Sequence, residues 1–200
     1  IARTSAMPAP APTDESLARD ARAGCRSGLE ELVRRYQVPL IRFLQRGPIP
    51  SHAEDDVQET FLRVYRLLDR YNPDRPFRPW LFSVAWRQAL DRRRSIRPTT
   101  PVSDTSAGPR SEDPSTAAAV ADDRGHLWAT ARRSLKAEPF SCVWLHYAES
   151  MSVAEVAVAL GRSRVWVKTT LLRSRRRLKI ALSPTHRPPV AGPVVAGGVP

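Results

Sequence analysis

The stretch from Ser152 to Leu182 most constrains what this chain can fold into. Ser152-Val153-Ala154-Glu155 has capping-box spacing: the serine hydroxyl accepts from the backbone N–H three residues on, and the glutamate reaches back. This predicts a short helix through Leu160. Gly161 follows where a helix C-cap calls for positive φ. Ser163 is placed to cap a second helix running to about Leu182. Val156, Leu160, Val167 and Leu171 supply a core shared by the two helices, and Ala157 is small where they cross. A helix, a tight glycine turn and a longer basic helix make a helix-turn-helix.

The second helix carries Arg164, Lys168, Arg173, Arg175, Arg176, Arg177 and Lys179. Its first part is expected to enter a DNA major groove. There Arg164, Lys168 and Arg173 can donate to guanine edges, and Thr169 or Leu172 can touch a thymine methyl. The later cluster, with Arg176 at its centre, is expected on phosphates. A plain solvated basic helix would explain the charge but not the cap, turn glycine and core spacing together. A membrane-surface helix fits worse, because the apolar residues are committed to the turn core and Trp166 alone is a thin anchor.

Charge over the whole chain agrees with a polyanionic partner. The 200 residues carry a net charge of +12, unevenly divided. Residues 15–97 hold 17 Lys and Arg against 11 Asp and Glu, and residues 124–182 hold 12 against 3. Between them, residues 98–123 hold one Arg against five acids and are rich in Pro, Ser, Thr and Ala. That segment, residues 1–14 and residues 183–200 bury too little to offset ordering entropy, and are expected to be disordered or flexible. Five domains are therefore expected: a loose start (1–14), a basic lobe (15–97), an acidic linker (98–123), a second basic lobe (124–182) and a loose tail (183–200).

Both lobes read as all-α, since apolar residues recur at three and four and period-2 alternation is nearly absent. A first helix is expected over about 15–26 and a second over about 28–45, kinked or divided at Pro39. Ser51 and Glu54 have capping-box spacing before a third helix. Its stripe of Val57, Phe61, Val64, Tyr65 and Leu68 is expected to face the core. A fourth helix is expected from about Pro79 to Ile96. No apolar run approaches the roughly 20 residues needed to cross a bilayer, and the start does not read as a signal peptide. Two separated cysteines and four scattered histidines give no metal-ligand spacing, so no cofactor or metal is expected. The cytosol is the expected compartment.

The stretch Ala53-Glu54-Asp55-Asp56-Val57-Gln58-Glu59-Thr60-Phe61-Leu62-Arg63-Val64-Tyr65 resembles region 2 of bacterial RNA polymerase sigma factors of the extracytoplasmic-function type, in the sigma-70 family. Pro79-Trp80-Leu81-Phe82-Ser83-Val84-Ala85, with Ala89-Leu90-Asp91-Arg92-Arg93-Arg94, looks like the rest of that region. Glu155-Val156-Ala157, Leu160-Gly161, Ser163, Val167-Lys168 and Leu171, with Arg173 and Arg175, is similar to region 4.

The resemblance implies a region 2 helical bundle and a region 4 helix-turn-helix on a flexible linker. It implies a factor without enzymatic chemistry that binds core RNA polymerase, directs it to promoter DNA and assists melting. It also implies restraint by an anti-sigma factor. Asp55, Gln58 and Glu59 share one polar face at i, i+3, i+4, which the resemblance assigns to polymerase docking. Ser83, Trp86, Arg87 and Arg94 share a face of the fourth helix, and Asn72, Arg75 and Arg78 precede it. Together they would grip the separated −10 strand, with Trp80, Val84 and Ala85 in the core. Arg164, Lys168, Thr169, Leu172, Arg173 and Arg176 would read the −35 element. Departures from the family at Trp86, Arg87, Val165-Trp166 and Thr170 bear on promoter sequence rather than fold. The competing readings are a stand-alone helix-turn-helix regulator and a helical interaction or RNA-binding module. The Asp55/Gln58/Glu59 face speaks against the first, and the absence of visible sheet or repeat platforms against the second.

Overall fold

The structure is a computed structural model describing residues 11–47, 49, 52–95 and 116–183. Among these, every regular element is helical. The first lobe holds α1 (Asp14–Arg22), α2 (Arg26–Arg46), α3 (Ala53–Leu67), a 3-10 turn (Leu68–Arg70) and α4 (Phe77–Ser95). The second holds α5 (Thr116–Ser134), α6 (Ala137–Tyr147), α7 (Val153–Leu160) and α8 (Arg164–Ala181).

Helix α1 starts where Thr13 accepts from the Ser16 N–H at 3.2 Å. Its first residue, Asp14, is tied to α2 by the Arg35 guanidinium at 2.8 Å and by the Tyr36 hydroxyl. Gly28 lets α1 and α2 approach closely, because a Cβ there would lie 2.7 Å from the Leu17 carbonyl. Pro39 lies inside α2, yet the helix runs unbroken from Arg26 to Arg46, so the expected division does not occur. The proline removes one N–H, but Tyr36, Leu40, Phe43 and Leu44 are buried on either side and hold both halves to one core.

Other boundaries differ from expectation too: α1 ends at Arg22 rather than near 26. The N-cap of α3 is His52, without a side-chain bond, and Ser51 lies outside the described residues. Helix α5 already runs from Thr116, so residues 116–123 continue a helix rather than the linker. The run Thr-Ala-Ala-Ala-Val-Ala has the propensity for it, and the Pro-rich composition of the preceding residues had masked that. The rest of the expected linker up to 115, residues 1–10 and residues 184–200 lie outside the described residues, as does Ile96.

Leu32, Leu40, Val64, Phe77, Leu81 and Phe82 are fully buried in the first lobe. Phe43 meets Phe82 edge-on at 5.5 Å. Phe140, Leu145, Met151, Val156 and Val167 do the same work in the second lobe. Each such side chain contributes roughly 1.5–3 kcal/mol through burial. Helix α4 is anchored at its start by Glu15, whose carboxylate accepts from the Phe77 N–H at 3.0 Å, one of the donors a helix N-terminus leaves unpaired.

The α3 stripe is partly as expected. Val57, Val64 and Leu68 are buried and Phe61 is half-buried, but Tyr65 is 61 % exposed. The side of α3 that meets Gln88 and Arg92 of α4 is polar. Thr60 is fully buried and Asp56 nearly so. Gln88 of α4 donates to the Asp56 carbonyl at 3.1 Å, Thr60 donates to the same carbonyl at 2.7 Å, and Arg92 pairs with the Asp56 carboxylate. One apolar cluster runs through both lobes, because α7 packs along α4.

Candidate nucleic-acid interface

The turn between α7 and α8 is built as the spacing predicts. Glu155 N–H donates to the Ser152 hydroxyl at 3.2 Å, and Ser152 N–H donates to the Glu155 carboxylate at 2.8 Å. Gly161 sits at φ 63° and ψ 39°, the left-handed region where a side chain is strained. Ser163 accepts from the Trp166 N–H at 3.1 Å and starts α8. Val156, Leu160, Val167 and Leu171 are buried between the helices. Arg162 braces the turn from outside, bonded to Glu138 at 2.6 Å and lying 5.5 Å over the Trp166 ring.

This frame fixes which side of α8 faces out. Arg164, Lys168, Leu172, Arg175 and Arg176 are exposed, and Thr169 is half-buried beside them. Val165 joins them at 74 % exposure. At 100° per residue these fall within one arc. Arg173 is exposed at the edge of the arc, about 40° beyond Thr169. It lies about 140° round from Lys168 and lines a groove of about 370 Å³ with Lys136, Trp166, Ser174 and Arg177. Thr170 is buried rather than on a reading surface.

Arg175 is held by a residue that sequence reasoning missed. Its Nε donates to the Tyr147 hydroxyl, and its guanidinium lies 5.5 Å over that ring. Tyr147 ends α6, and nothing in the linear pattern ties it to α8.

On α3, Asp55 and Gln58 are exposed. Glu59 is half-buried and reaches Arg63 at 3.5 Å. These three remain available on one side of the helix. The −10 candidates divide. Asn72, Arg75, Arg87 and Arg94 are exposed. Asn72 accepts from the Asp74 N–H at 3.0 Å, which shapes the loop before α4. Arg94 lies 3.7 Å from Asp91. Arg78 is bonded at 2.9 Å to Glu149 of the second lobe. Ser83 and Trp86 are each only 4 % exposed, which corrects the expectation of a strand-gripping surface there. Ser83 donates to the Trp80 carbonyl at 2.6 Å, and Trp86 packs against Phe43 at 6.4 Å. Val84 and Ala85 are buried as expected, and Trp80 is half-buried against Tyr71 and Phe77. No group of three His, Cys, Asp or Glu among the described residues could hold a metal ion. No helix among them is long and apolar enough to cross a membrane.

Comparison with known proteins covers both lobes. Residues 32–99 match the family model Sigma-70 region 2, and residues 129–178 match Sigma-70, region 4. The chain is 37 % identical over 83 residues to RNA polymerase sigma factor CnrH of Cupriavidus metallidurans, covering 41 % of this chain and 44 % of that protein. It thus spans less than half the length of this relative. It is 35 % identical over 135 residues to ECF RNA polymerase sigma factor SigL of Mycobacterium tuberculosis, covering 66 % of this chain and 75 % of SigL. Among solved structures, CnrH in complex with the cytosolic domain of CnrY is similar with a TM-score of 0.64 at 28 % identity, covering 84 % of this chain and 96 % of that one.

Proposed function

Since the chain belongs to the sigma-70 family of bacterial RNA polymerase sigma factors, extracytoplasmic-function type, we propose that it binds core RNA polymerase and directs promoter-specific initiation. The observation that carries this is the outward arc of α8. Arg164, Lys168, Leu172 and Arg176 stand exposed on a helix whose cap, turn and core are complete. Such a rigid basic helix meets the requirement for reading a major groove, with guanidinium and ammonium donors toward base edges and phosphates. That arc is assigned to the −35 element, and the start and outer face of α4 to the −10 element.

Asp55, Gln58 and Glu59 are assigned to the polymerase. They place carboxylates and an amide on one side of α3 without drawing on the buried Asp56 network behind them. The protein itself performs no bond chemistry. Melting draws on binding: capture of unpaired bases offsets lost stacking of about a few kcal/mol per step. CnrH was solved with the cytosolic domain of CnrY, and a regulatory protein partner, an anti-sigma factor, is proposed here as well. The cytoplasm is where this work would take place.

Run-off transcription with core polymerase on genomic fragments tests the reading. Discrete start sites that appear only when the chain is added are expected. A chain that neither associates with core polymerase nor directs any start site overturns it.

A further inference from the structure

The groove beside Arg173 is built from two helices. Trp166, Thr170, Arg173, Ser174 and Arg177 stand at i, i+4, i+7, i+8 and i+11, one stripe spanning about 100° of α8. The start of α6, with Lys136 and Pro139, forms the other wall. The space between them is about 370 Å³, and small-molecule sites span roughly 300–1,000 Å³. Its lining is of two kinds. Lys136, Arg173 and Arg177 are exposed cations without an ion-pair partner among the described residues. Helix α6 begins without a side-chain cap, so its first-turn N–H groups lie at the same end. The acid on the lining, Glu138, is already bonded to Arg162 at 2.6 Å. Beside the cations lie the half-buried Trp166 indole and the apolar Leu135 and Pro139. Ser174 is 3 % exposed and Thr170 9 %, yet neither hydroxyl has a hydrogen-bond partner among the described residues. A buried hydroxyl in that state costs free energy until something bonds it. Trp166 and Thr170 are also two of the positions at which the sequence departs from the family it resembles, so this lining is a feature of the chain.

We propose that this groove binds a free nucleotide, a purine base carrying two or more phosphates. The indole and its apolar neighbours meet the base, and the three cations with the α6 N-terminus meet the phosphates. The Ser174 and Thr170 hydroxyls gain the polar partner they lack. A simple anion would leave the indole wall unused, and an apolar molecule would leave three cations unanswered. A nucleic-acid strand carries the same chemistry as the free nucleotide. The groove has the volume of a small-molecule site, however, and the outward arc assigned to duplex DNA is a different part of α8. The inference goes beyond the proposed function and does not rest on it.

Equilibrium dialysis of the full chain against radiolabelled ADP at near-physiological salt tests it. Adenosine, inorganic pyrophosphate and a single-stranded deoxyadenylate hexamer serve as competitors. The variants are Trp166→Ala, Arg177→Ala and Arg42→Ala. Arg177 is exposed, so its loss leaves the fold intact. Arg42 is an exposed cation of the first lobe and controls for net charge. Helicity of Trp166→Ala is checked by circular dichroism. Should it fall, Arg177→Ala and the competitors decide.

Saturable binding of ADP is expected, about tenfold or more tighter than adenosine or pyrophosphate, because only ADP uses both walls. Trp166→Ala and Arg177→Ala should each weaken it about fivefold or more, and Arg42→Ala by less than about twofold. Absence of saturable ADP binding overturns the proposal. Pyrophosphate bound as tightly as ADP shows an anion patch and overturns it as well. Equal losses in Arg177→Ala and Arg42→Ala show attraction by net charge alone, with the same consequence. A hexamer that binds more tightly than ADP and shares its sensitivity to Arg177→Ala gives the groove to a nucleic-acid strand, and the free-nucleotide assignment falls.

Discussion

The Arg175 guanidinium is clamped to Tyr147 in two ways, through Nε to the phenol oxygen and by its plane 5.5 Å over the ring. The arginine is exposed, but it is no longer free to swing. A pre-oriented cation loses less entropy on meeting a phosphate. Binding of the free chain to non-specific duplex DNA should weaken about twofold in Tyr147→Phe, which keeps the ring, and about fivefold in Tyr147→Ala. Neither should change the slope of log affinity against log salt. Arg175→Ala should lower that slope by about 0.9, one phosphate contact. A salt titration of the three variants checks this, and a slope change in Tyr147→Ala would refute the positioning role.

Lys168 and Arg173 are five residues apart and both exposed, but they point about 140° apart on α8. Lys168 lies within the outward arc and Arg173 at its edge. Lys168→Ala should therefore change which duplexes are preferred in a selection from a random library. Arg173→Ala, in the groove with Trp166 and Lys136, should leave the preference as it was. Arg176→Ala should weaken all duplexes evenly. A changed consensus for Arg173→Ala with none for Lys168→Ala would reverse the two assignments.

The helix-turn-helix was legible because each signal is local. A capping box spans four residues, and a left-handed glycine needs no distant partner. The groove beside Arg173 was not legible, because a run of basic residues does not reveal how far round the helix a groove cuts. The exposure of Asp55 and Gln58 on α3 was legible. Asp56 looked like one more acid in the run Glu54-Asp55-Asp56, and only Gln88 and Arg92, over thirty residues away, make it a buried one. Ser83 and Trp86 had the right residue types on one face. Their burial comes partly from a second lobe whose approach no local pattern encodes. Glu149 and Tyr147 were invisible for the same reason.

Adjacent acids Asp55 and Asp56 should respond oppositely to the same change. Asp55 is exposed, so Asp55→Ala should leave urea stability within about 0.5 kcal/mol. Its effect should appear as weaker retention of core polymerase in co-purification, together with Gln58→Ala. Asp56 is buried against Arg92, with Thr60 and Gln88 on its carbonyl. Asp56→Ala removes the buried carboxylate that Arg92 meets and should cost about 1–2 kcal/mol. Equal stability loss at both positions would contradict this division of labour, and unchanged polymerase affinity in Asp55→Ala and Gln58→Ala would remove the docking assignment.

Cys142 gives the second lobe a weakness in alkali. It is fully buried in α6, its sulfur 4.0 Å from the Val167 carbonyl across the turn core, and burial pushes its thiol from 9.0 to about 12. The unfolded chain loses that proton near pH 9, and the folded chain keeps it until about pH 12. Across this window the native state binds the extra proton, so stability falls as pH rises, by at most about 1.4 kcal/mol per unit from this group. Below pH 9 both states are protonated and the thiol adds no slope. Tyr71, raised to about 12 by burial, and Tyr36, also raised by burial, add slopes of the same sign. The comparison that isolates the thiol is therefore the native chain against Cys142→Ala, each unfolded in urea with reductant at several pH values between 8 and 11. The variant starts less stable because it leaves a small cavity. It should nevertheless lose stability more gently above pH 9, so the two curves converge. Parallel curves through that window would show that the thiol titrates alike in both states, and that the seam between α6 and α8 admits solvent.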